Sequence, residues 1–331
     1  MIDLPAHDLI HGAVRLDDHH GACVPRRLST GQSAALASVP NWATFGACAS
    51  GISLRVITDA PWVELDADLI RRGPRSLEMD AEVDGALAAA WREVVEPGRL
   101  ERRIILAPEG VPAASRRLCL HLPVESALGI RRIAIPDGCT WSPEPPSGRR
   151  LLVLGDSITQ GAHATGAGGT WPAQLARLLG MDLFNQALCG HAWHPSFLAE
   201  VPELDPALVI CAYGVNDWRS PDAGGAAGIG QTCAAGLAAL RPRIARARLV
   251  VMTPLWCDRQ PEVARFGSTL AEVRAAIAAA ARDHGAEVVD GAGVLPHQPW
   301  WLSDGVHPRD AGMTLIAAAL ARALAAGASV P

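Results

Sequence analysis

Short stretches of alternating apolar and polar residues recur every eight to twelve positions in the first 143 residues: 52–57, 62–67, 77–83, 100–106, 117–122 and 130–135. Residues two apart lie on one face of a strand, so this period predicts half-buried strands. Their number and spacing predict a β-sandwich of jelly-roll type. Asp84-Gly85, directly after 77–83, predicts a hairpin turn, because such turns need positive φ angles that glycine tolerates. The stretch 86–95, ALAAAWREVV, has the composition of a helix, but the strand rhythm on either side favours a strand.

The pattern changes across 140–150, TWSPEPPSGRR, where three prolines and a glycine cluster before an apolar run, the mark of a linker. Beyond it, apolar runs at 151–154, 183–187, 207–212, 249–253 and 287–290 are short enough for buried strands. They alternate with helical spacing at 171–179, 230–247, 263–284 and 310–326. Such alternation predicts an α/β domain with a parallel sheet between helical layers, and ligands then bind beyond the carboxyl ends of the strands. The expected organisation is a β-sandwich over 1–143 and a three-layer α/β/α domain over 149–331.

Net charge narrows the ligands. At -5 the chain lacks the positive field that gathers nucleic-acid phosphates or anionic lipid, so a small-molecule substrate is expected, with no nucleic-acid or membrane partner. Lysine is absent, and the positive charge is arginine with a few histidines. No oligomer is indicated. The N-terminus, MIDLPAHDLI, lacks the basic start and apolar stretch of a secretory signal, and no apolar run is long enough to span a membrane. Eight cysteines are scattered without metal-ligand spacing, which reads as buried thiols in a reducing compartment, so a cytoplasmic location is expected. Asp17-Asp18-His19-His20 reads as an exposed β-turn rather than a metal cluster, since four adjacent side chains cannot all converge on one ion.

The first strand of the second half runs into Gly155-Asp156-Ser157-Ile158-Thr159-Gln160-Gly161, placing a hydroxyl at the sheet edge beside a helix N-terminus. Alone, this also describes an ordinary helix cap. Three more segments change the picture: Asn185-Gln186-Ala187-Leu188-Cys189-Gly190 after the second strand, Gly214-Val215-Asn216-Asp217 after the third, and Asp304-Gly305-Val306-His307-Pro308 before the last helix. In order and residue type these four blocks resemble the SGNH (GDSL) hydrolases, whose catalytic domain is flavodoxin-like.

The resemblance implies Ser157 as nucleophile, His307 as general base and Asp304 as its orienting carboxylate. It implies the backbone N–H groups of Ser157 and Gly190 and the amide of Asn216 as oxyanion-hole donors. No cofactor and no metal are implied. The chemistry fits, because a serine hydroxyl attacks well only when a neighbouring imidazole takes its proton. Asp156 and Asp217 read as supports of the loops carrying Ser157 and Asn216. The sandwich before the catalytic domain resembles a two-domain subgroup containing carbohydrate esterases and some acyltransferases. The expected function is a serine esterase acting on small acyl esters, with acetyl on a sugar or glycoside as a candidate. An acyltransferase using the same acyl-enzyme is the alternative, and an inactive carbohydrate-binding scaffold is a third reading. Trp193, His194, Trp218 and Trp301 are expected to line the substrate pocket, since aromatic faces suit sugar rings and acyl chains.

Overall fold

The computed structural model describes residues 1–74, 76–107, 114–259 and 262–326. The chain divides into two compact units: one of Met1–Arg27, Ala47–Ser147 and Thr165–Gly168, the other of Leu28–Gly46, Gly148–Ala164 and Gly169–Pro331.

The first unit holds two antiparallel sheets. One has the order Arg15–His19, Ala22–Arg26, Ala127–Ile135, Trp62–Arg71, Gly98–Ile105, with Ile2–Leu4 also pairing with Ala127–Ile135. The other has the order Trp141–Pro143, Ser53–Thr58, Arg116–His121, Leu77–Val83, Ala86–Glu93, with Ile10–His11 pairing with Ser53–Thr58. Trp62–Arg71 alternates buried and half-buried residues along its length, and Val63, Leu65, Ala67 and Leu69 share one apolar core with Leu54, Val56, Met79, Leu118 and Leu120. All six strands expected from the alternation are present. Ala86–Glu93 is a strand despite its alanines, because pairing with Leu77–Val83 satisfies its backbone and overrides local helix preference. Asp84 and Gly85 both have positive φ, 52° and 84°, as the hairpin turn requires.

Two expectations need correction. Asp17, Asp18 and His19 lie in a strand rather than a turn; the turn falls at His20-Gly21, with φ values of 53° and 79°. Asp17 instead pairs with Arg15 and, at 2.9 Å, with Arg26 on the neighbouring strand. In the linker, Trp141–Pro143 adds an edge strand to the second sheet.

The second unit is built on a five-stranded parallel sheet: β1 (Arg150–Gly155), β2 (Asp182–Asn185), β3 (Leu208–Ala212), β4 (Arg248–Met252) and β5 (Glu287–Val289), in the order β2-β1-β3-β4-β5. Its helices are α1 (Ser157–Gln160), α2 (Trp171–Leu179), α3 (Pro195–Ala199), α4 (Val215–Trp218), α5 (Gly225–Leu240), α6 (Leu270–Asp283) and α7 (Asp310–Ala326), besides Thr30–Ala35 and Pro40–Gly46 from the segment before residue 47. α2 packs with α7, while α5 packs with α3 and α6, giving the three-layer α/β/α arrangement. The strands are buried on both faces, which explains their unbroken apolar sequences. Strand order reverses between β1 and β3, so the loops leaving their carboxyl ends diverge around a crevice. The segment 28–46 joins this unit: Leu28 and Leu36 are buried in its core, and Gln32 Nε2 donates to buried Gln186 Oε1 at 2.8 Å. No helix among the described residues is long and apolar enough to cross a membrane.

Candidate active site

β1 ends at Gly155, where any side chain would meet the Ala212 carbonyl oxygen of β3 at 2.7 Å and the Thr159 hydroxyl closer still. A glycine there lets the chain turn tightly off the sheet. Asp156 caps α1, its Oδ1 accepting the Ile158 N–H at 3.0 Å, and Ser157 is the first residue of that helix. The Ser157 side chain is thereby held at the strand end with its Oγ 2.8 Å from His307 Nε2.

His307 arrives on the turn 304–307. Asp304 Oδ1 accepts the backbone N–H groups of Val306 (3.0 Å) and His307 (2.9 Å), while Oδ2 lies 2.8 Å from His307 Nδ1. Gly305 has φ 84°, which closes so tight a loop at no steric cost. Burial alone would raise the Asp304 carboxyl, but the His307 N–H, the imidazole and the Val306 N–H outweigh it and hold the group below the usual carboxylate range. An ionised carboxylate only accepts, so the proton sits on Nδ1 and leaves Nε2 to accept from the Ser157 hydroxyl.

On the other side, Gly190 has φ 73°, its carbonyl accepts the Trp42 indole N–H at 3.1 Å, and the Cys189 N–H is held by Gln160 Oε1 at 2.7 Å. Asn216, on α4, donates from Nδ2 to the His191 carbonyl at 2.9 Å, tying the loop after β3 to the loop after β2. An amide has two N–H bonds, and one fixed bond sets the direction of the other.

Asp156 and Asp217 are both buried. Burial pushes Asp156 to about 7, opposed by the Ile158 N–H and reinforced by the charge of Asp217. Burial likewise raises Asp217 to about 6, against the Trp193 N–H that its Oδ1 accepts at 3.1 Å. Both carboxylates therefore support backbone at the base of the site. A small cavity at the carboxyl ends of β1, β3 and β4 is lined by Asp156, Ile158, Tyr213, Thr253, Trp256 and Val306, and Ser157 and His307 are not part of its wall.

The expected pocket aromatics divide. Trp193 and Trp218 are core residues, 4% and 1% exposed, and do not line the pocket. Trp193 packs on Tyr213, with ring centroids 4.9 Å apart, and the Trp218 indole donates to the Ser268 carbonyl at 2.9 Å. Neighbouring residues in a helical turn point about 100° apart, so proximity in sequence to Gly190 or Asn216 does not aim a side chain at the site. His194 is half-buried beside Trp42, centroids 5.5 Å apart, and Trp301 stacks on exposed Trp300 at 3.8 Å. Trp42 carries no sequence signal linking it to Gly190, 148 positions away. His163, outside the four motif blocks, stacks on His307.

Residues 153–315 match the GDSL-like lipase/acylhydrolase family. No curated protein sequence matches the chain. Among solved structures, the salicylyl-acyltransferase SsfX3 from a tetracycline biosynthetic pathway superposes with a TM-score of 0.83 at 23% identity, over 96% of this chain and 94% of its own. A Bacteroides ovatus protein described as a GDSL-like lipase gives 0.78 at 18% identity, over 98% and 97%. A family two carbohydrate esterase from Clostridium thermocellum gives 0.68 at 14% identity, over 96% and 98%. At these identities the likeness is one of fold, and it runs through both units. The sequence likeness to GDSL-like lipases and acylhydrolases is thus carried by residues 153–315, and the likeness of fold extends beyond them through both units.

Proposed function

We propose that this protein is a serine ester hydrolase for small acyl esters, with Ser157, His307 and Asp304 as its catalytic triad. The observation that carries the reading is the unbroken hydrogen-bonded line from Asp304 Oδ2 through His307 to Ser157 Oγ, 2.8 Å at each step. In the proposed reaction, Ser157 Oγ attacks the ester carbonyl while His307 Nε2 takes its proton. The Ser157 and Gly190 N–H groups and the Asn216 amide receive the oxyanion. His307 then returns the proton to the leaving alkoxide, and water activated by the same imidazole releases the acid. Asp304 stays ionised throughout and steadies the imidazolium. Eight free cysteines fit a reducing, cytoplasmic setting.

Acyl transfer is the second reading, supported by the fold likeness to a salicylyl-acyltransferase over nearly the whole chain. Likeness to carbohydrate esterases makes a sugar the first acceptor or leaving group to try. A fluorophosphonate probe followed by peptide mass mapping tests the nucleophile: labelling at Ser157 is expected, and an unlabelled protein or a label elsewhere overturns the reading. With p-nitrophenyl esters of increasing acyl length, free acid as the sole product marks a hydrolase, and acylated alcohol or sugar on adding the acceptor marks a transferase.

A further inference from the structure

Six residues after Ser157 lies an aromatic ring that the four motif blocks do not use: His163 packs face to face on His307, ring centroids 4.4 Å apart and planes within 6°. Its backbone has φ 70°, an arrangement unusual for any residue with a Cβ and therefore held in place by its surroundings. Nδ1 is 2.8 Å from Ser303 Oγ, and Nε2 faces Asp304 Oδ2 at 3.8 Å. Ser303 Oγ also donates to the His307 carbonyl at 3.1 Å. A hydroxyl has one hydrogen and a carbonyl only accepts, so the arrangement satisfying all three groups puts a proton on His163 Nδ1, which donates to Ser303. Nε2 then presents its lone pair to the carboxylate when the ring is neutral, and an ion-pairing N–H when it is charged. The two parallel rings do not aim their nitrogens at a common point, which sets this cluster apart from a metal site.

We propose that His163 is a positioning residue of the triad, which when neutral holds the His307 ring in the plane joining Asp304 to Ser157 and when charged competes with it for the Asp304 carboxylate. The inference rests on the triad reading above. A neutral His163 offers its ring face to the imidazolium that forms on His307 during attack. A charged His163 sets a like charge against that imidazolium and draws Asp304 away from it. Among the described residues, the charged groups around the pair include Asp304, His307 itself and Arg259, whose guanidinium donates to the Asp304 carbonyl. When His163 is charged, two imidazoles compete for one carboxylate, and His307 loses part of the partner that orients it.

The test follows the rate of Ser157 phosphonylation by a fluorophosphonate from pH 5 to 9, which needs no knowledge of the natural substrate. The wild-type rate is expected to fall on the acid side more steeply than one proton allows. His163→Asn, whose side chain tolerates positive φ, is expected to lower the plateau 10- to 100-fold and to reduce the acid limb to a single ionisation. His163→Gly leaves a ring-sized space, and added imidazole is expected to recover part of its plateau. A His163→Asn profile that matches wild type in plateau and steepness overturns the proposal. So does a melting temperature preserved in His163→Gly with a slow rate that imidazole leaves unchanged. Wild-type protein without label at Ser157 overturns the triad reading instead, so the two failures are distinct.

Discussion

Asp304 uses its two oxygens for different tasks, and a single-atom change separates them. Oδ1 closes the 304–307 turn through two backbone N–H groups, and Oδ2 orients His307. Asp304→Asn retains an oxygen for the turn but turns an N–H toward Nδ1, which forces the proton onto Nε2 and removes the acceptor for the Ser157 hydroxyl. Turnover is expected to fall about 10³- to 10⁴-fold with little change in melting temperature, because the wrong tautomer disables the base without disturbing packing. Steady-state kinetics alongside thermal melting check this. Asp156 invites a different measurement. Its carboxyl, raised to about 7 by burial, keeps a proton in the folded chain that the unfolded chain loses near its ordinary value of 3.8. Between those two values the native state binds more protons than the unfolded one, so stability falls as pH rises through the window and levels off above it. The linkage is on the order of 4 kcal/mol across the window. Asp156→Asn keeps an acceptor for the Ile158 N–H and has no proton to lose. Urea midpoints at pH 4.5 and 8 should therefore differ less in the variant than in wild type; equal pH dependence in both would show that Asp156 is ionised in the folded protein.

At the scale of elements, the turn after β1 sets the geometry of Ser157, the proposed nucleophile. Gly155→Ala would push a methyl group against the Ala212 carbonyl of β3, prising apart the two strands that flank the crevice. A stability loss of about 1–3 kcal/mol is expected from such overpacking. The rate should suffer more, since displacing a catalytic group by an ångström costs about 100-fold. Denaturant melts and phosphonylation rates measured on one preparation separate the two effects, and unchanged rates would mean that the strand end absorbs the methyl group. Much at this scale was legible in the sequence. Buried strands must be continuous in apolar residues and half-buried ones must alternate, so β1 to β5 and six strands of the sandwich followed from their patterns, and three of the four glycine-bearing blocks marked the strand ends around the site. The aromatics were not legible in this way. Trp193 and Trp218 sit beside motif residues yet turn into the core, because the direction of a side chain leaving an irregular loop depends on backbone angles that residue type does not specify. His163 illustrates the converse, a histidine without periodic context whose φ of 70° swings it onto His307.

At the scale of the whole molecule, chain order and compact units do not coincide, and this too was hidden from local pattern. A linker at 140–150 suggests a clean cut, yet 28–46 belongs to the second unit, and a 19-residue segment carries no periodic mark of the sheet it will cover. Leu28 and Leu36 are 2% and 0% exposed within that unit's core, Gln32 supplies the buried partner of Gln186, and Trp42 holds the Gly190 carbonyl. Losing two buried leucines costs about 2–5 kcal/mol each. Domains of this size are stable by only about 5–15 kcal/mol, so the sum is comparable to the whole margin. The chain 148–331, although it contains Ser157, Gly190, Asn216, Asp304 and His307, is therefore expected to lack a cooperative melt and to label with fluorophosphonate at least 100-fold more slowly than the full chain. Full-chain Leu36→Asp tests the same contact with every other segment present, and should lower the melting temperature and slow labelling in parallel. A truncated chain that melts cooperatively and labels at the full rate would mean that the catalytic fold closes without the segment before residue 47.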